Sequence, residues 1–107
     1  MTEIKLQIDP LHLRLDANRH AGDRIICMAC SVTVSNLINI LENEEEHLRL
    51  QDLNWRVGDG YCEIEATAYP MNKERFEAIQ DYVRISLEAL AEDHKEHIKL
   101  DVYVGER

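Results

Sequence analysis

Period-two alternation of apolar and polar residues, repeated in five segments, narrows the fold of this chain more than any other feature. Ile4, Leu6 and Ile8 alternate with polar residues, and after Asp9-Pro10 the pattern resumes at Leu11, Leu13 and Leu15. Leu53, Trp55 and Val57 form a third set and Cys62, Ile64, Ala66 and Ala68 a fourth, with Gly58-Asp59-Gly60 as the turn between them. Ile98, Leu100, Val102 and Val104 form the fifth. Successive side chains of a strand point to opposite faces, so each segment reads as a strand with one apolar and one polar face. A sheet of such strands is covered on one side only. Leu48 and Leu50 are out of phase with Leu53, which predicts a bulge or break near Gln51-Asp52.

Two segments follow the helical period instead. From Ile26, the positions Cys30, Val34, Leu37, Ile38 and Leu41 form one apolar stripe. Asp23 is the expected N-cap. The acidic run Glu44 to Glu46 opposes the dipole of a helix C-terminus and sets the expected end near Asn43. A second helix is expected after Pro70, capped by Asn72, burying Phe76, Ile79, Val83, Leu87 and Leu90 and ending around His94. The order is ββαββαβ. It implies a two-layer α+β fold, a five-stranded, mainly antiparallel sheet with two helices on one face. At 107 residues the chain reads as a single domain, residues 1–107, with no repeat, linker or low-complexity tract.

Composition bears on what such a domain can bind. Asp and Glu number 21 against 12 Lys and Arg, a net charge of −9. Nucleic-acid binders gain affinity by neutralising phosphates, so the balance argues against a nucleic-acid partner and equally against an anionic membrane surface. No apolar run approaches the roughly 20 residues that span a bilayer, and "MTEIKLQID" lacks the basic and apolar regions of a signal peptide. A cytoplasmic location is expected. There the three cysteines, an odd number, are expected as thiols. The polar face carries Glu63, Glu65, Thr67 and Tyr69 on one strand and His12, Arg14 and Asp16 on another. It reads as a solvated face or as a homodimer contact through sheet or strand-edge surface, to which Tyr61, Tyr69 and Tyr103 would contribute.

The chemistry-bearing stretch is "NRHAGDRIICMACS", Asn18 to Ser31. His20 follows the second strand, and Cys27 lies in the first turn of the first helix with Gly22 allowing a sharp turn between them. Helical side chains tilt toward the helix N-terminus, so the Cys27 thiol should point back at the loop bearing His20. A histidine there can take the thiol proton, first-turn amides favour a thiolate or an oxyanion, and an inward Arg24 would favour it further. Three readings compete for this stretch: a Cys27 nucleophile with His20 as base, a Cys-x-x-C metal or redox motif, and two small buried residues on a helix. Structural zinc needs four ligands, and His12 and Cys62 would have to leave opposite faces of the sheet to supply them. A thioredoxin-type motif normally follows a βαβ strand, whereas a hairpin precedes this helix. Cys30 and Cys62 fall on apolar stripes and read as core.

The same residues resemble a family, the ribosomal-processing cysteine proteases (Prp). That family carries Gly-His-Ala, a glycine-containing loop, and Asp-Ile-Val-Cys-Ala-Ala-x-Ser opening a helix. His20-Ala21 is similar to the first element, and Ile25-Ile26-Cys27-Met28-Ala29-Cys30-Ser31 to the last. Arg19 replaces the glycine, the loop from His20 to Cys27 is shorter, and Arg24 replaces the aspartate with Asp23 one place off, the pattern of a divergent member. The resemblance extends over nearly the whole chain in element order. It implies a homodimeric cysteine endopeptidase with Cys27 as nucleophile and His20 as general base and acid, supported by Gly22, Asp23 and Arg24. It also implies that no metal or cofactor is needed. The substrate would be a peptide or protein, with cleavage of a short N-terminal extension of a ribosomal or a phage protein. A catalytically degenerate, dimeric protein-interaction module of the same fold is the alternative.

Overall fold

The computed structural model describes residues 1–18 and 24–106, and of residues 24–26 the backbone only. The expected Asp23 cap lies outside the described residues. The elements are β1 (Thr2–Asp9), β2 (His12–Asn18), α1 (Arg24–Glu46), β3 (Leu50–Gly58), β4 (Tyr61–Ala68), a 3₁₀ turn (Pro70–Asn72), α2 (Lys73–Asp93) and β5 (Ile98–Val104). The sheet order is β3-β4-β2-β1-β5. The β1–β2, β2–β4 and β3–β4 pairs are antiparallel and β1–β5 is parallel, so the expected mainly antiparallel α+β sheet is what forms.

Alternation decides the register. Leu6 faces Leu15, Leu13 faces Ala66, and Leu15 faces Ile64, so the apolar sets of β1, β2 and β4 share one face and are buried there. Phe76, Ile79, Val83 and Leu87 of α2 and Leu37, Ile38 and Leu41 of α1 cover that face, as their helical spacing predicts. Leu11 belongs to the β1–β2 turn rather than to the second strand. Pro10 fixes the corner before it, and Leu11 turns the chain at φ 64°. That turn is tied to α2 by Gln80, which is fully buried and donates from Nε2 to the carbonyls of Asp9 and His12, both at 2.9 Å. The bulge expected near Gln51 is present as a register shift between Leu50 and Asp52.

Two helix ends differ from expectation. The first helix runs to Glu46, three residues past the expected stop, with the first carboxylate of the acidic run buried and paired. Glu44 is only 2% exposed and accepts hydrogen bonds from Arg49 at 2.7 Å and from Arg75 of α2 at 2.5 Å. Burial alone would raise its carboxyl pKa. The two guanidinium hydrogen bonds and their charges outweigh that and hold it below the usual carboxylate value. The helix then closes in a Schellman arrangement: Arg49 N–H donates to the Glu44 carbonyl, Leu48 N–H to Glu45, and Leu48 takes φ 58°. At the second helix, Asn72 occupies the cap position without a side-chain cap hydrogen bond. The preceding 3₁₀ turn does the work instead, with the Lys73 N–H donating to the Pro70 carbonyl.

Two outcomes follow from these helix ends. Leu48 is 80% exposed and sits where a Cβ is strained, so Leu48→Gly should raise stability in urea by about 1 kcal/mol. Glu44→Gln should lower stability at neutral pH. A carboxylate whose folded pKa is depressed contributes stability above its unfolded pKa of about 4.3 and loses it as pH falls through the folded value. The stability gap between the two proteins should therefore be constant near pH 7 and close in acid below about pH 4, as read by urea titrations across pH.

Candidate functional site

Cys27, Cys30, Ser31, Val34 and Ser35 stand at i, i+3, i+4, i+7 and i+8 of α1, so they share one helix face. That face forms one wall of a cavity of about 280 Å³. Cys62 of β4, Val57 of β3 and Ala17 of β2 stand across it, with Thr2 at one end. The β3–β4 turn, Gly58 to Tyr61, forms the rim. Gly60 turns the chain at φ 76°, and the Tyr61 ring lies against Gly58, leaving no room there for a Cβ.

All three cysteines are thiols, and all three line this cavity. Cys62 is buried as its apolar strand face predicts. Burial, with smaller contributions from the charges of Asp16 and Glu63, pushes its thiol up to about 11. Cys30 packs against the core but is only half-buried, because the cavity opens beside it. Its thiol is also pushed up, first by burial and then by neighbouring Cys27. Cys27 is half-buried in the first turn of α1. The expectation that Cys30 is wholly core therefore needs correcting: it shares a solvent-connected wall with Cys27.

Strand β3 also departs from expectation. The alternation of Leu53, Trp55 and Val57 predicts a buried face, and these residues do pair with Ala66, Ile64 and Cys62 on the helix side. Trp55 is nevertheless 43% and Val57 51% exposed. The strand lies at the sheet edge, and of its residues only Leu50 is fully buried. An uncovered apolar strip thus continues from the cavity at Val57 to Trp55.

His20, Gly22 and Asp23 lie outside the described residues, and of Arg24 only the place at the start of α1 is described. Cys27 is the sequence-predicted residue that the structure sets at the cavity. Ser31, Ser35, Val57 and Thr2 were not singled out as cavity residues by sequence reasoning. The i, i+4, i+8 spacing of Cys27, Ser31 and Ser35 was the signal available for two of them. Among the described residues, no group of three or more His, Cys, Asp or Glu side chains could hold a metal ion, and no helix is long and apolar enough to cross a membrane. The opposite face of the sheet is polar, as expected. His12 meets Glu65 at 2.9 Å, Arg14 meets Asp16 at 2.9 Å, and Arg56 meets Glu63 at 2.6 Å.

No protein-family model and no curated protein sequence matches the chain. Solved structures do match it in shape. SMU.848 from Streptococcus mutans superposes with a TM-score of 0.69 at 22% identity, over 98% of this chain and 96% of that one. The essential ribosomal processing protease Prp from S. aureus, in complex with a covalently linked product peptide, gives 0.65 at 20% identity over 95% and 99%. The same protease in complex with a substrate peptide gives 0.67 at 15% identity with the same coverage. The chain has a Prp-like fold. Identities this low establish the shared architecture, and they run over nearly the full length of both chains.

Proposed function

We propose that this chain is a Prp-like cysteine endopeptidase, acting as one domain on an extended peptide. The observation that carries the reading is the position of Cys27 in the first turn of α1, on the wall of a cavity that continues into the uncovered apolar strip of Val57 and Trp55. In the proposed reaction the Cys27 sulfur attacks the scissile carbonyl carbon while His20 accepts the thiol proton. Backbone amides at the start of α1 donate to the oxyanion. The C–N bond then breaks, His20 protonates the leaving amine, and water hydrolyses the thioester to free the enzyme. Gly22, Asp23 and Arg24 are assigned a supporting role in this reaction. Apolar and aromatic residues of the substrate lie along Val57 and Trp55. The net charge of −9 favours a basic peptide, which suits the N-terminal extension of a ribosomal protein. That S. aureus Prp is solved with peptides supports the substrate class.

The proposed protein works in the cytoplasm as a homodimer through strand-edge surface. The open face has much of its charge paired internally through His12–Glu65, Arg14–Asp16 and Arg56–Glu63, which favours the edges over that face as the contact. Among the described residues β3 and β5 are the edge strands; exposed Tyr103 lies on β5, and exposed Tyr61 lies on β4 opposite the end of β3.

Iodoacetamide labelling, resolved residue by residue against pH, tests the dyad. Cys27 should label fastest of the three thiols, and His20→Ala should slow it near neutral pH with the fold intact. Cys27→Ser should abolish cleavage of basic peptides with aromatic segments, and His20→Ala should lower it by about 10²-fold or more. Labelling at Cys27 that ignores His20, together with no cleavage, leaves the protein an interaction module of the same fold. For assembly, sedimentation at micromolar concentration should show twice the 12.5 kDa chain mass, and a monomer alone rules the dimer out.

A further inference from the structure

We propose that Cys27 is an oxidation site with Cys30 as its resolving thiol, so that a hydroperoxide closes a Cys27–Cys30 disulfide within α1 and blocks the cavity wall. This rests on the reading of Cys27 as the reactive thiol and adds its regulation. The two cysteines are three positions apart on one helix, and both side chains line the same cavity. Helix geometry sets their Cα atoms roughly 5 Å apart, inside the range of about 4.4–6.8 Å that a disulfide bridges. Cys27 falls in the first turn of α1 and Cys30 in the second, and closing the bridge requires that first turn to tighten, from the roughly 5–6 Å between Cβ atoms of an i, i+3 pair to the roughly 3.5–4.5 Å of a disulfide. Cys62 stands on the opposite wall, on a strand whose position both neighbours fix.

The chemistry balances with the peroxide as the only co-reactant. The Cys27 thiolate attacks one peroxide oxygen, so an S–O bond forms, the O–O bond breaks, and hydroxide or alkoxide leaves. The Cys30 sulfur then attacks the sulfenyl sulfur of Cys27. The S–S bond forms, the S–O bond breaks, and hydroxide leaves as water with the Cys30 proton. Two thiols supply two electrons, and hydrogen peroxide is reduced to two waters. Burial and the neighbouring sulfur keep Cys30 protonated, so it does not compete for the peroxide in the first step. A dithiol reverses the bridge by exchange. The disulfide shields Cys27 from irreversible oxidation to the sulfinic acid.

Peptide mapping tests this on the whole protein. Hydrogen peroxide is added, remaining thiols are blocked with N-ethylmaleimide, and the chain is cut with trypsin. Cys27 and Cys30 fall in one fragment, Ile25 to Arg49, while Cys62 falls in another, Val57 to Lys73. The expected result is an unlabelled Ile25–Arg49 fragment lighter by two hydrogen atoms, restored by dithiothreitol. In Cys30→Ser, Cys27 should instead advance to sulfinic acid. A cross-link joining the two fragments, overoxidation of Cys27 at the same rate in both proteins, or no oxidation of Cys27 overturns the proposal. The map does not depend on any peptidase activity of the protein itself. A reversible bridge without peptide cleavage refutes the endopeptidase and keeps the switch, and cleavage without a bridge does the reverse.

Discussion

The whole arrangement depends on how much sheet two helices can cover. Five strands spaced about 4.8 Å apart present a face roughly 24 Å wide, whereas two helices about 10 Å across cover roughly 20 Å. The central strands take the cover, with Leu6, Ile8, Leu13, Leu15 and Ile64 almost wholly buried. The shortfall falls on the edges. In β5 burial fades from Ile98 to an exposed Val104, and in β3 it fades from Leu50 to Val57. The cavity lies at the second of these margins, where α1 leaves the sheet edge open.

Which margin stays open is set by how α1 is anchored. Glu44, in its last turn, joins Arg75 at the start of α2 and Arg49 just before β3. That pairing fixes the C-terminal end of α1 beside the buried Leu50 end of β3. A helix of 23 residues then carries its other end to the far end of the β3–β4 hairpin, beside Gly58 to Tyr61. A buried carboxylate shared by two guanidinium groups is a costly way to hold two helices by desolvation alone. Its geometry, however, is specific: it ties the last turn of α1 both to the start of α2 and to Arg49 just before β3.

Most of the fold was legible because alternation is a strong signal and the turns carried Pro and Gly. The register shift at Gln51 was legible for the same reason, since Leu50 and Leu53 break phase. Errors arose where long-range contact overrode a local rule. The acidic run Glu44 to Glu46 should stop a helix, but Arg75 lies 31 residues away in sequence and no local pattern announces it. Trp55 and Val57 carry the pattern of a buried face, and only the strand order shows that β3 is an edge. Gln80 looks like a surface residue in a helical repeat, yet it closes the β1–β2 turn from within the core. At the site, the sequence marked Cys27 by its place in the first turn. It did not mark the cavity, because a void is made by residues from five separate elements.

The cavity also has a cause within α1 itself. The sheet-facing stripe changes character along the helix: Leu37, Ile38 and Leu41 fill the core, while the preceding turns offer Cys27, Cys30, Ser31 and Val34. Leucine at the earlier positions would extend the core toward β4 and gain roughly 0.8 kcal/mol for each methylene buried. Small side chains on the helix meet small ones on the sheet, Ala17 and Cys62, so neither wall reaches the other. Packing of that kind forgoes stability in return for a space beside the first turn of a helix. A thiol on that wall combines exposure, an anion-favouring position and an apolar approach along Val57 and Trp55. A second thiol one turn on gives the same wall a redox partner within reach.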